Sequence, residues 1–147
     1  MDKNKDRQVK QVIVVRKDLD MSVGKTAAQV SHASLGALLK LFKKNDIWEE
    51  GTFPSVGTHM AVNFEHNSFL DKWLNGIFTK ICLGTKNEAS LLKLYKKIEE
   101  ENPNIPIVLI EDCGLTEFSG VPTKTCIGIG PYWSDEIDEF TKKLQLL

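Results

Sequence analysis

The chain has 147 residues, 41% of them hydrophobic and 27% charged. That suits one domain with its own core and excludes a disordered chain. With 19 Lys and Arg against 20 Asp and Glu, the net charge is −1. This excludes a surface coated in positive charge but leaves room for a local basic patch.

Residues 1–8 are polar and charged, which predicts a flexible tail ahead of a domain over 9–147. The tail lacks the apolar core of a signal peptide, and no apolar run approaches the ~20 residues of a membrane span. A cytoplasmic protein without membrane contact is expected. Gln11 to Arg16 is β-branched and almost continuously apolar, the pattern of a central strand buried on both faces. Asp18 to Ser22 turns the chain, and Val23 to Lys44 reads as a helix rich in Ala and Leu. Asn45 to Asn67 is the least readable stretch; it resembles an insert, with a short strand around Met60 to Phe64. Ser68 to Leu74 reads as a short helix and Phe78 to Leu83 as a strand. Asn87 can cap a helix from Glu88 to Glu101, which Pro103 stops. Ile107 to Ile110 is another strand. Lys124 to Ile129 is a further strand, ended by Gly130-Pro131. Ser134 can cap a last helix, with Asp135 and Glu136 in its positive first turn. Strands alternating with helices predict an α/β three-layer α-β-α domain with a mixed, mostly parallel four-stranded sheet. Sites in such sheets collect beyond the carboxyl ends of strands.

Cys82, Cys113 and Cys126 are far apart and odd in number. They predict buried free thiols and no metal site. Gly24-Lys25-Thr26 sits where a phosphate-binding loop would end, but Leu19 replaces the loop's first glycine. Gly128-Ile129-Gly130 begins a dinucleotide fingerprint whose third glycine would fall at Trp133. Neither nucleotide motif is complete.

The first helix carries a polar stripe. At about 100° per residue, Lys25, Gln29, His32, Gly36, Lys40 and Lys43 fall on one narrow face. Apolar residues fill most of the remaining circumference, which predicts a largely buried helix whose stripe lines a cleft. Gly36 would allow another chain or a ligand to approach closely. A solvated face carrying Lys and Gln by default gives the same pattern. A second cluster, Glu111 to Thr116, follows the strand Ile107 to Ile110, and Asp112 lies just past its carboxyl end. A simple Asp-Gly-type turn is the plainer reading. Thr125 opens the next strand and can point into the same cleft.

Three segments then carry a resemblance. Gly24 to Ala33 (GKTAAQVSHA), with Gly36, resembles the GK-x-AAQ-x-x-HA-x-x-G segment of type-2 peptidyl-tRNA hydrolases. Asp112 to Thr116 (DCGLT) is similar to that family's D-A-G-x-T. Thr125 to Pro131 is similar to its T-x-x-x-IGP. The likeness runs from about Val9 to Leu147 and is weak only over 45–67. It implies a mixed four-stranded sheet flanked by helices, a homodimer, no metal or organic cofactor, and hydrolysis of the ester joining a peptide to the 3′ end of tRNA. It also implies active-site roles for Lys25, Gln29, His32, Asp112, Thr116 and Thr125. Some positions depart from the family pattern: Asp20, Ser22 and Val23 stand where basic residues often precede the Gly-Lys, Cys113 where Ala is usual and Leu115 where a basic residue is frequent.

An ester needs a positioned water and stabilisation of its oxyanion. Lys25 and Asp112 are expected to pair across the cleft. Asp112, with Thr116 or Thr125, would orient the water, and Lys25 would face the oxyanion or leaving group. Gln29 and His32 would position substrate and water. Binding tRNA requires phosphate contacts, for which Lys17, Lys40, Lys43, Lys44 and Lys124 are candidates. Arg16 is set aside because it ends a buried strand. Two other readings fit the same residues: a non-catalytic tRNA-binding or regulatory protein on this fold, and a hydrolase of another acyl or aminoacyl ester.

Overall fold

The run Val12-Ile13-Val14-Val15 is almost wholly removed from water. Successive side chains of a strand point to opposite faces, so this run can be buried only with layers on both sides. In the computed structural model, which describes residues 2–147, that is its setting. Val12 and Val14 pack into one core cluster, with Leu91, Ile98 and Ile137. Ile13 and Val15 pack into the other, with Ala33 and Cys126. Full burial of each such side chain contributes roughly 1.5–3 kcal/mol.

The elements in chain order are β1 (Val9–Arg16), α1 (Val23–Leu39), β2 (Lys43–Ile47), β3 (Gly57–Ala61), α2 (Phe69–Leu74), β4 (Lys80–Thr85), α3 (Glu88–Glu101), β5 (Ile107–Asp112), β6 (Thr123–Trp133), α4 (Ser134–Thr141) and β7 (Gln145–Leu146). The main sheet has the order β5-β6-β1-β4-β7, with α1 over one face and α3 and α4 over the other. The α/β layering and mixed sheet expected from the sequence are present. The strand count and directions differ from expectation. Among the described residues the main sheet has five strands, and within it only the β1–β4 pair is parallel; β1–β6, β5–β6 and β4–β7 are antiparallel. Long β6 runs back between β1 and β5, so β1, β4 and β5 all end at one edge of the sheet, where β6 begins.

Gly130-Pro131 does not end β6, which continues to Trp133. The ladder with β1 shifts between Lys10 and Val12, so two residues of β6 oppose one of β1. This bulge absorbs the proline's missing donor, and the Gln11 side chain donates to the Gly130 carbonyl at 3.0 Å. Helix α1 is shorter and more exposed than expected. It stops at Leu39, so Lys43 and Lys44 belong to strand β2, whose residues are all exposed. Only Gln29, Ala33 and Ala37 are buried, one residue per turn, while Val23 and Leu35 face out. The helix is an outer layer, and one side of it touches the sheet. That side lies very close: a Cβ on Gly128 would fall 2.4 Å from the Ala33 carbonyl oxygen. Gly36 packs on the Val108 side chain and so serves this approach instead of opening a ligand site.

The hairpin β2–β3 stands apart from the main sheet and occupies most of the segment that resembled an insert. At the amino-terminal end, Arg7 pairs with Asp135 at 3.0 Å and Glu136 at 2.9 Å, and Lys72 donates to the Lys5 and Arg7 carbonyls. The expected loose tail is therefore tied down from Lys5 onward; its first residue, Met1, lies outside the described residues. Ser134 is the first residue of α4 and not its cap, which is Trp133 without a side-chain bond. Cys126 is buried and Cys82 half-buried, but Cys113 is exposed, so the expectation of three buried thiols holds only in part.

Candidate active site

Two elements end at the same edge of the sheet and supply the site: the start of α1 and the end of β5. Ser22 caps α1, its hydroxyl accepting from the Lys25 backbone N–H at 3.2 Å. The same hydroxyl donates to the Glu117 carboxylate, which also accepts from the Ser22 backbone N–H at 3.3 Å. These bonds tie the 113–122 loop to the beginning of the helix. The loop turns back at Gly114, where φ is +79° and an added Cβ would lie 2.5 Å from the Val121 carbonyl oxygen. Only glycine fits both the left-handed backbone and the close approach.

Lys25 and Asp112 meet in the fold of this loop. The Lys25 ammonium lies 2.8 Å from Asp112 Oδ1 and donates to Thr116 Oγ1 at 2.9 Å. The Phe118 ring lies beside it, its centroid 5.4 Å from Nζ. Gln29 Nε2 donates to the same Asp112 oxygen at 3.1 Å, and the Gly114 N–H donates to the other at 2.8 Å. Thr125 Oγ1 donates to Gln29 Oε1 at 2.6 Å. An ionised carboxylate only accepts, so Gln29 must turn its NH₂ toward Asp112 and its oxygen toward Thr125. One continuous chain of bonds therefore runs Thr125–Gln29–Asp112–Lys25–Thr116.

Burial divides this chain in two. Thr125 and Gln29 are 0% and 1% exposed. The Lys25 and Asp112 side chains keep 10% and 12% of their surface open. Only the Lys25–Asp112 end can touch water or substrate. The hydrogen bond from the Lys25 ammonium holds the Asp112 carboxyl below the usual carboxylate range, against the effect of desolvation, with help from the Gly114 N–H. Asp112 is therefore ionised at neutral pH and a weak base. Behind the site, Cys126 Sγ lies 3.4 Å from the Gln29 carbonyl, and burial pushes its thiol up to about 11.

Five of the six expected site residues thus come together. His32 does not: it lies on the exposed side of α1, and its imidazole makes no hydrogen bond among the described residues. Thr125 does not open into the cleft as expected; it is sealed behind Gln29. The expected tRNA lysines are scattered. Lys40 sits near Tyr95 and Pro103, Lys43 and Lys44 lie on the hairpin, and Lys124 faces Glu111 at 3.8 Å. Lys17 follows β1 at the sheet edge, with its stem over Gly84 and close to the start of α1. Arg16 is held by Asp18, Glu88 and the Lys124 carbonyl, in keeping with its exclusion. Sequence reasoning missed Ser22, Glu117 and Phe118. Ser22 had a signal, because a serine three residues before Lys25 at a helix start has capping spacing. Glu117 and Phe118 had none. Among the described residues, no three His, Cys, Asp or Glu side chains gather to hold a metal ion. No helix is long and apolar enough to cross a membrane.

Comparison with known proteins covers the whole of this architecture. The family described as Peptidyl-tRNA hydrolase PTH2 matches residues 9–147. A peptidyl-tRNA hydrolase of Methanopyrus kandleri is 39% identical over 138 residues, which is 94% of this chain and 97% of that protein. One of Staphylothermus marinus is 36% identical over 97% of this chain and 98% of its own length. One of Sulfolobus acidocaldarius is 34% identical over 95% of this chain and 100% of its own. With the match continuous from β1 through the site to the last residue, the chain belongs to the peptidyl-tRNA hydrolase PTH2 family.

Proposed function

We propose that this chain hydrolyses peptidyl-tRNA at the Lys25–Asp112 pair, freeing tRNA from its peptide. The observation that carries the reading is the bond chain ending in a nearly dehydrated Lys–Asp pair, in a chain that matches the family over its whole domain. Water attacks the ester carbonyl carbon, the C–O bond to the ribose breaks, and the ribose oxygen takes one proton from the water. The peptide leaves as a carboxylate and the second proton goes to solvent. An ammonium has three N–H groups. Asp112 and Thr116 take two from Lys25, which leaves one for the oxyanion. Asp112 orients the water through the free lone pair of Oδ2 and draws the ammonium into place. Thr116 accepts from Lys25, so its own O–H is free to donate to water or substrate. A cation at its oxygen and no base beside it make Thr116 a poor nucleophile. Gln29 and Thr125 are positioning residues that fix the Asp112 carboxylate from behind.

Residues 9–147 act as one unit in this reading, in the cytoplasm and as a homodimer. The exposed apolar side chains of α1, Val23, Leu35 and Leu39, support self-association. The hairpin β2–β3 in the 45–67 segment, with Trp48 stacked on Phe53, supports a role for that segment as an added contact surface.

The test is release of tRNA from N-acetylaminoacyl-tRNA and from unblocked aminoacyl-tRNA, by wild type and by Lys25→Met. Turnover of the blocked substrate alone, lost in the variant, supports the reading. Binding without turnover points to a regulatory protein, and equal turnover of both substrates to a broader esterase; either overturns it.

A further inference from the structure

An open groove lies away from the Lys25–Asp112 pair. It has a volume of about 870 Å³ and lies between α3, α4 and the ends of β1 and β4, on the opposite face of the sheet from α1. Five lysines line it: Lys17, Lys86, Lys93, Lys97 and Lys143. All five are exposed and none forms an ion pair among the described residues. In a chain of net charge −1, such a concentration leaves the remainder distinctly acidic. Asp18 is the one carboxylate on the lining, and Arg16 engages it at 2.8 Å. Glu88, at the start of α3, is engaged by the same arginine at 3.2 Å. The competing negative charge is thus already spoken for.

From these observations we infer that the groove binds the sugar-phosphate backbone of the tRNA body, away from the ester-bearing end; this rests on the proposed function. The shape argues for a polyanion over a single phosphate. The lysines come from four parts of the fold and do not converge on one point. Lys93 and Lys97 stand one helical turn apart, about 6 Å along the axis of α3. Lysine is a point charge without the arginine fork, which suits backbone contact without a fixed geometry. Between the lysines, Leu94, Phe140 and Leu144 give the floor an apolar character on which a ribose or base can rest. The Lys97 ammonium lies 6.0 Å from the Phe140 ring centre. Position argues for the substrate itself. The carboxyl ends of β1 and β4 bound the groove, and those of β1 and β5 bound the catalytic cluster, so one tRNA can cross the shared sheet edge.

The test uses paired variants of neighbouring residues. Lys97→Ala/Lys143→Ala removes two charges from the groove. Lys96→Ala/Lys142→Ala removes two from the same segments outside it, where Lys96 only faces Glu100 at 3.8 Å. Deacylated tRNA binding is measured by fluorescence anisotropy across a salt series, and KM and kcat with peptidyl-tRNA. The groove variant should bind about tenfold more weakly and lose about 2 from the slope of log K against log salt, with KM raised and kcat retained. The outside variant should change neither by more than about twofold. Equal losses in both variants would mean a diffuse electrostatic effect and overturn the inference. So would unchanged tRNA binding in the groove variant, or loss of binding to an acidic polypeptide such as poly-glutamate without loss for tRNA. The binding arm needs no turnover, so failure of the proposed function and failure of the groove are separable.

Discussion

Two lysine-bearing regions share one edge of the sheet and use the charge in opposite ways. On the α1 side, a single lysine is nearly removed from water and committed to Asp112 and Thr116. Along the groove by α3 and α4, five lysines are exposed and unpaired among the described residues. A paired, dehydrated ammonium has a fixed position and can act at one atom. Unpaired, hydrated ammoniums hold no fixed position and suit a long anion whose register varies. The comparison separates chemistry from recognition by the state of the charge, not by residue type.

The two regions should break differently. Lys25→Met should lower kcat by about 10²–10³-fold, the cost of losing an oxyanion donor, and leave tRNA binding nearly intact. It should also destabilise the fold by about 2 kcal/mol in denaturant titration. That is less than a fully buried pair would lose, because both ends keep some solvent. The groove variant should show the reverse, with KM rising about tenfold and kcat held.

A titration sharpens the catalytic half. Asp112 has a depressed folded value, so its stabilising contribution is present at neutral pH and lost as pH falls through that value, below the usual carboxylate range. Removing the Lys25 cation should move the Asp112 titration upward, followed by carboxyl-carbon NMR. An unchanged titration would mean that the ion pair is not what holds the carboxylate.

Smaller effects probe the support behind the pair. Thr125→Val removes the donor to Gln29 Oε1 and frees that amide to turn. A fall in kcat of about tenfold is expected with KM unchanged, since Thr125 never meets substrate. His32→Ala should change turnover less than about threefold, because the imidazole stands outside the bond chain.

The parts that sequence made legible were those with local causes. Helix α3 begins after Asn87 and ends before Pro103 as expected, because a cap, a period and a stop agree there. β1 was readable because burial on both faces leaves an unbroken apolar run. The end of α1 was not, because Leu38, Leu41 and Phe42 carry the apolar pattern past the point where the helix stops. The reversal of β6 was hidden for another reason. Strand direction depends on connection, and the parallel expectation overlooked a return by loop from β5. Lys25 and Asp112 were legible as chemistry at two strand ends. Their support was not: Thr125 and Gln29 are 96 positions apart, and only the close seat of α1 on Gly128 brings them together. Of the groove lysines only Lys17 was singled out from sequence; Lys86, Lys93, Lys97 and Lys143 are unremarkable one by one along the chain.

The central claim is that the Lys25–Asp112 pair performs the hydrolysis. Its most direct test is single-turnover cleavage of N-acetylaminoacyl-tRNA, at enzyme saturating over substrate, by wild type, Lys25→Met and Asp112→Asn, with folding checked by circular dichroism. Saturation removes any effect of tRNA binding. The pair predicts that both folded variants lose at least about 10²-fold in the cleavage rate. A folded variant of either kind that cleaves within about threefold of wild type would contradict it.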